Sequence, residues 1–209
     1  MSENDDDDSR ERINIMILGN SEVGKTCFII KYTENIFQEV YLSTIGIDFK
    51  VKNVVIEEKP CKLFFYDTTG QEKYKSIALN VIKTAQGIIL MYDITNQESF
   101  EAIPEWINSI QEVKGDNFPM ILCGNKTDLK DKRKISLNEG EELAEEYNIE
   151  FFETSNKDGH NVNEAAVNIA KRILDRRKTD TSENNSSHNS TQLSRSSTQQ
   201  NISIRCCKD

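Results

Sequence analysis

Apolar positions along the chain fall into short continuous runs that alternate with stripes of helical period. Ile13 to Leu18 (INIMIL) has the length of a strand, and Cys27 to Tyr32 (CFIIKY) begins a helical stretch. Glu34 to Gly46 is polar, dotted with aromatics and without periodicity, which predicts a loop between a helix and a strand. Asp48 to Ile56 (DFKVKNVVI) and Lys62 to Tyr66 (KLFFY), joined by Glu57 to Pro60, predict an antiparallel hairpin at one edge of a sheet. Gly87 to Tyr92 (GIILMY) and Met120 to Cys123 (MILC) are unbroken apolar runs, the pattern of strands buried on both faces of a parallel sheet. Glu98 to Val113 predicts one amphipathic helix, Ile135 to Tyr147 a glutamate-rich one, and Ile149 to Thr154 (IEFFET) a last strand. A closing helix over Val162 to Ile173 carries Val162, Ala165, Ala166, Ile169 and Ile173 on one face. The alternation predicts an α/β domain: a six-stranded, mostly parallel sheet with one antiparallel edge strand, flanked by helices.

Composition narrows what such a domain can do. The 209 residues suffice for one domain with a full core plus a tail. We divide the chain into an acidic, disordered start (1–11), a folded domain (12–178) and a disordered tail (179–209). With 35 acidic and 26 basic residues the net charge is −9 and no basic stripe appears, which argues against a nucleic-acid partner. The opening MSENDDDDSRER lacks the apolar stretch of a secretory signal, and no apolar run approaches the length of a membrane span, so a cytosolic chain is expected. Cys27, Cys61 and Cys123 sit singly in apolar segments and are expected to pack as small hydrophobes rather than form disulfides. Cys206 and Cys207, adjacent at the end of a polar tail, have no packing reason to exist.

Chemistry enters at Gly19 to Thr26 (GNSEVGKT), which has the spacing of a loop that wraps nucleotide phosphates. Gly19 and Gly24 let successive backbone N–H groups point at phosphate oxygens and feed into a helix N-terminus. Lys25 would meet the β and γ phosphates, and the Thr26 hydroxyl would bind Mg²⁺. Ser21, Glu22, Val23 and Cys27 complete the loop's lining. Glu22 stands where a small residue is usual, and its carboxylate is expected to turn to solvent, away from phosphate. Thr44 could complete the Mg²⁺ shell only while a γ phosphate is present, ordering its loop. Asp67-Thr68-Thr69-Gly70 follows a predicted strand, so Asp67 could hold Mg²⁺ through water, the Gly70 N–H could meet the γ phosphate and Gln71 could orient the attacking water. Asn125-Lys126-Thr127-Asp128 lies at another strand end, where open α/β sheets bind ligands. There Asp128 can accept from the ring N–H and amino group of guanine, whereas adenine would leave a buried carboxylate facing an acceptor nitrogen. Ser155-Asn156-Lys157 sits at the last strand end, where backbone N–H groups could reach guanine; a plain surface turn is the alternative.

In this order GNSEVGKT, DTTGQE, NKTD and ETSNK, with STIGIDFK between the first two, resemble the small GTPases of the Ras superfamily, and STIGIDFK and MYDITN resemble the Rab branch. The likeness runs from about Asn14 to Arg177. It implies a P-loop NTPase of the small G-domain type, a switch active with GTP and inactive with GDP, which regulates vesicle and membrane traffic by recruiting effectors. It further implies that Phe37 packs against the guanine ring, that Asn125, Lys126 and Asp128 read the base, and that Thr44 senses the γ phosphate. Gln71, Lys25 and Thr44 would be catalytic, and Thr26, Thr44 and Asp67 would hold Mg²⁺. The partners implied are an exchange factor, a GTPase-activating protein, a GDP-dissociation inhibitor or prenylation escort, and effectors on the switch regions, with the chain a monomer.

The terminal CCKD resembles the double-cysteine ends that Rab proteins have geranylgeranylated on both residues, which would anchor Cys206 and Cys207 on the cytoplasmic face of an endomembrane compartment, with a cytosolic pool. Rab proteins usually carry tryptophan at Tyr66, alanine at Thr69 and Asn156, and an aromatic pair with Arg-Gly at Val81 to Thr84. Phe49, Tyr66 and Val81 would then replace the effector-facing aromatic triad, and an altered partner set is expected. No arginine sits in a motif that supplies transition-state charge, so slow hydrolysis is expected until an activating protein offers one. The competing reading is an interaction module that binds guanine nucleotide with little or no hydrolysis. A P-loop kinase or ATPase is disfavoured by NKTD.

Overall fold

The structure, a computed structural model, describes residues 10–37, 47–68 and 82–192. Its elements run β1 (Glu11–Leu18), α1 (Lys25–Glu34), β2 (Ile47–Ile56), β3 (Lys59–Thr68), β4 (Gly87–Asp93), α2 (Gln97–Glu101), α3 (Ile103–Lys114), β5 (Met120–Asn125), α4 (Leu137–Glu146), β6 (Glu150–Glu153) and α5 (Val162–Gln192). Among the described residues, six strands form one sheet in the order β2-β3-β1-β4-β5-β6. β1 runs parallel to β3, with Ile13 opposite Leu63, and to β4, with Met16 opposite Ile88. β2 is the antiparallel edge, with Val51 opposite Phe64. The expected sheet, mostly parallel with one antiparallel edge, is the one present.

Burial explains why each run takes its place. Every residue of β4 and β5 is buried, as continuous apolar runs require when helices cover both faces of a parallel sheet. On one face Met16, Leu18, Leu90, Tyr92, Met120 and Leu122 pack with Trp106, Ile107 and Ile110 of α3 and with Ile135. Those α3 positions recur at helical spacing, so one stripe of the helix faces the sheet. Val162, Ala165, Ala166, Ile169 and Ile173 are all buried, as their shared face predicts. Small residues on that face allow close approach, and Ile173 lies where a Cβ on Gly87 would come within 2.6 Å of it.

Several boundaries differ from the sequence expectation for identifiable reasons. The single helix expected over Glu98 to Val113 is two: α2, whose Asn96 side chain caps the Ser99 N–H, and α3, which restarts with Pro104 in its first turn. Proline is tolerated in that turn and would break a continuous helix here. The hairpin turns on Glu57 and Glu58 alone, both at positive φ (48° and 66°), so Pro60 lies within β3. It stands just before Cys61, where pairing with β1 begins, so its missing N–H removes no bond to β1. Glu11, placed in the acidic start by sequence, pairs with Cys61 in β1. The helix expected from Ile135 starts at Leu137 because Ser136 and Glu139 form a reciprocal capping box.

By packing the chain divides into a unit through Ile173 and a second from Leu174. In the second, helix continues to Gln192, beyond Lys178 where the sequence reading ends the folded domain. Its first turns carry Asp175–Lys178 and Arg176–Asp180 pairs at helical spacing, which support helix locally without a core. No helix among the described residues is long and apolar enough to cross a membrane.

Gly140 lies inside α4, and a Cβ there would come within 2.5 Å of both the Phe151 ring and the Tyr92 hydroxyl. Gly140→Ala is therefore expected to lower stability by about 1 kcal/mol in denaturant titration, where an open helix position would gain a similar amount. A gain in the midpoint would show that the Phe151 side gives way.

Candidate functional site

Among the described residues, the loops after β1, β5 and β6 meet beyond the same end of the sheet, where β3 also brings Asp67, because parallel strands place all their carboxyl ends together. The loop after β1 turns sharply at Gly19, with φ 140°, where a Cβ would sit 2.0 Å from the Met91 carbonyl oxygen. No other residue fits there. Gly24 has φ 104°, and a Cβ on it would strike the side-chain nitrogens of Asn125 at 2.4 Å and Asn156 at 2.8 Å. Glycine at position 24 is thus demanded by the neighbouring loops as well as by the turn. Glu22 has φ 65° and is exposed, so its carboxylate does turn to solvent. Ser21 is exposed, Val23 buried and Cys27 half-buried.

Lys25 is only 5 % exposed, and its ammonium donates to the carbonyls of Gly19 at 2.8 Å and Asn20 at 2.6 Å. Burial lowers its pKa to about 8, against the Asp67 carboxylate, which acts to raise it. Thr26 Oγ1 donates to Asp67 Oδ2 at 2.6 Å, bringing two hard oxygen donors together where α1 begins. Such a pair suits Mg²⁺, which takes oxygen ligands and keeps much of its water. A buried cation, a glycine cradle and these two oxygens fit a phosphate chain with its metal ion.

The residues expected to read the base are as closely tied. Asn125 Nδ2 donates to the Val23 carbonyl at 2.8 Å, and the Thr154 hydroxyl donates back to Asn125 Oδ1 at 3.2 Å. Ser155 Oγ donates to Asp128 Oδ1 at 2.9 Å, which orients that carboxylate. Lys126, at φ 70°, reaches Asp93 at the end of β4 with Nζ 2.7 Å from Oδ2. Asn156 is buried and its Nδ2 donates to the Gly24 carbonyl at 2.9 Å; Lys157 is exposed. Phe37 is half-buried at the edge of a described stretch. Thr44, Thr69, Gly70, Gln71, Val81, Cys206 and Cys207 lie outside the described residues.

Three supports escaped the sequence reading. Trp106 Nε1 donates to Asn20 Oδ1 at 3.1 Å, joining the core to the phosphate loop. Asp93 anchors Lys126, and Thr154 steadies Asn125. A single tryptophan in an otherwise aliphatic stripe and an acid closing an apolar strand were the available signals, and neither names its partner.

A family model described as "Ras family" matches residues 14–175. "Ras-related protein Rab-3C" of Bos taurus is 46% identical over 162 residues, covering 78% of this chain and 71% of that protein. "Ras-related protein Rab-13" of Rattus norvegicus is 48% identical over 160 residues, 77% of this chain and 79% of that one. "GTP-binding protein yptV2" of Volvox carteri is 43% identical over 165 residues, 78% and 76% of the two chains.

The buried ammonium makes the nucleotide-free protein pH-sensitive. Between about 8 and the ordinary lysine value of 10.5 the folded state holds fewer protons at Lys25 than the unfolded chain, so stability rises with pH through that window. Tyr32, pushed up to about 12 by burial, and the raised Tyr92 and Cys123 act in the opposite sense. Lys25→Met is therefore expected to be more stable than the parent near pH 7, by a few kcal/mol, with the gap closing toward pH 10. A gap independent of pH would place the cost elsewhere.

Proposed function

The chain belongs to the Ras family, and on that premise we propose how its residues divide the work of the switch. It is a small GTPase of the Rab type, hydrolysing GTP to GDP in vesicle traffic. The observation that carries the division of roles is the convergence of buried Lys25, the Thr26–Asp67 pair and the Ser155-oriented Asp128 at one end of the sheet.

Asp128 accepts from the ring N–H and amino group of guanine, Asn125 and Lys126 build its frame, backbone N–H groups of Ser155 to Lys157 meet the guanine carbonyl, and Phe37 covers the ring. Ser21 to Cys27 cradle the phosphates, with Lys25 exchanging its backbone carbonyl partners for phosphate oxygens. Bound at Thr26, at Asp67 through water and at Thr44, Mg²⁺ would neutralise charge on the β and γ oxygens. Gln71 orients the attacking water, and the Gly70 N–H meets the γ phosphate.

Among the described arginines, Arg133 is committed to Glu153 and Arg172 to Glu150, while Arg12 lies over the Phe64 ring. This supports slow intrinsic turnover and an arginine supplied by an activating protein. Phe49 is 57% exposed, with its ring centroid 6.2 Å from that of Tyr66, which supports an effector-facing role for this hairpin. An exchange factor and a GDP-dissociation inhibitor or prenylation escort complete the cycle. Geranylgeranyl groups on Cys206 and Cys207 place it on an endomembrane surface.

Affinities for GTP, GDP and ATP with Mg²⁺, followed by single-turnover phosphate release, test this reading. We expect guanine preferred over adenine by at least about 10⁴-fold, slow release, and a further loss of rate in Gln71→Leu. Asp128→Ala should remove most of the base preference; an unchanged ratio would dismiss the role of Asp128. Mass spectrometry of the chain from its native cell is expected to find both terminal cysteines prenylated, and an unmodified end would remove the membrane anchor.

A further inference from the structure

Asn156 stands after β6, yet its side chain reaches the phosphate loop. Its Nδ2 donates to the Gly24 carbonyl at 2.9 Å, beside the bond in which Asn125 Nδ2 donates to the Val23 carbonyl at 2.8 Å. Two consecutive carbonyls of one loop are held by two amides, one from the last residue of β5 and one from the loop after β6. The same Gly24 oxygen accepts the Phe28 N–H at 2.9 Å, so it also marks the start of α1. Whatever holds that carbonyl therefore holds the peptide that carries Lys25.

The two amides are backed differently. Asn125 Oδ1 receives the Thr154 hydroxyl, whereas Asn156 Oδ1 is buried without a partner, on a side chain only 4% exposed. Turning the Asn156 amide over would set its oxygen against the Gly24 oxygen, so the geometry decides which atom faces the loop. An orphaned buried acceptor costs the fold stability. Packing alone therefore does not account for an asparagine here.

We propose that Asn156 is a positioning residue that ties the base-reading loop to the phosphate loop and so slows nucleotide release. The proposal rests on the guanine-nucleotide reading above. With the tie in place, the β6 loop cannot swing from the base without pulling on the Gly24 carbonyl. Base and phosphate contacts then loosen together rather than one after the other. The tie favours retention, while the unpartnered Oδ1 disfavours the fold, and these opposite signs separate a positioning role from a structural one.

The test uses the full chain loaded with fluorescent GDP, comparing parent, Asn156→Ala and Asn156→Asp, with melting of each nucleotide-free protein alongside. Alanine removes both the tie and the orphaned oxygen. It is expected to speed GDP release about three- to tenfold, the worth of one net hydrogen bond, while the nucleotide-free melting temperature holds or rises. Aspartate keeps the size but has no N–H to donate, and should release GDP at least as fast as alanine. Release from Asn156→Ala within about twofold of the parent, or an aspartate variant that retains GDP as the parent does, would overturn the proposal. So would faster release accompanied by a lower nucleotide-free melting temperature in both variants, which is the signature of a structural role. GDP and ATP affinities of the parent are measured in the same preparation; a parent without guanine preference would overturn the nucleotide reading itself, and this proposal with it.

Discussion

A lysine ammonium buried beyond the end of a parallel sheet is the constraint on which this site depends. Lys25 is withdrawn from water and partnered by the carbonyls of Gly19 and Asn20, with the Asp67 carboxylate also acting on its charge. Desolvating a charge is costly unless its partners are well placed. Carbonyl dipoles compensate only part of that cost, which is why the pKa falls to about 8. A site built this way is short of negative charge, which in the proposed assignment a phosphate chain supplies.

Holding such a loop in place demands a stiff frame, and the frame comes from the sheet. β4 and β5 are buried along their whole length, so the ends from which Asp93 and Asn125 project are set by close packing. Gly19 is pressed against the Met91 carbonyl of β4, and Asn20 receives the Trp106 indole from α3. Core and site are therefore mechanically continuous: the tryptophan that fills the space above β4 also fixes the loop's first turn. The bidentate Arg133–Glu153 pair holds β6 in the same way on the far side. Its neighbours Thr154 and Ser155 can then serve Asn125 and Asp128.

The opposite edge of the sheet obeys a different rule. β2 alternates, leaving Phe49, Val51 and Val55 exposed, while Arg12 lies over the Phe64 ring at 4.0 Å. An edge strand with exposed apolar residues invites pairing with other chains unless something blunts it. Lysines and cation–π contacts do so here, with Lys52 over the Tyr32 ring and Lys62 near Phe64.

How much of this was legible depended on whether the determining interaction was local. Apolar runs such as INIMIL, GIILMY and MILC specified buried strands because a strand covered on both faces has no polar side to show. GNSEVGKT and NKTD could be assigned a chemistry because phosphate and guanine recognition require particular residue types at short, fixed spacing. Even the solvent-facing Glu22 followed from simple repulsion. Pro104 hid a helix break, since its effect depends on which turn of the helix it occupies. Glu57 and Glu58 hid a tight turn, because left-handed φ at two glutamates is imposed by the register of β2 against β3. The pairs Asn20–Trp106, Asp93–Lys126 and Asn156–Gly24 join residues far apart in the chain, and nothing in either partner's neighbourhood names the other. By itself the sequence named the groups proposed to meet phosphate and base. Only the tertiary structure decided how those groups are held, because the holding is done by side chains that reach one another solely through the folding of the sheet.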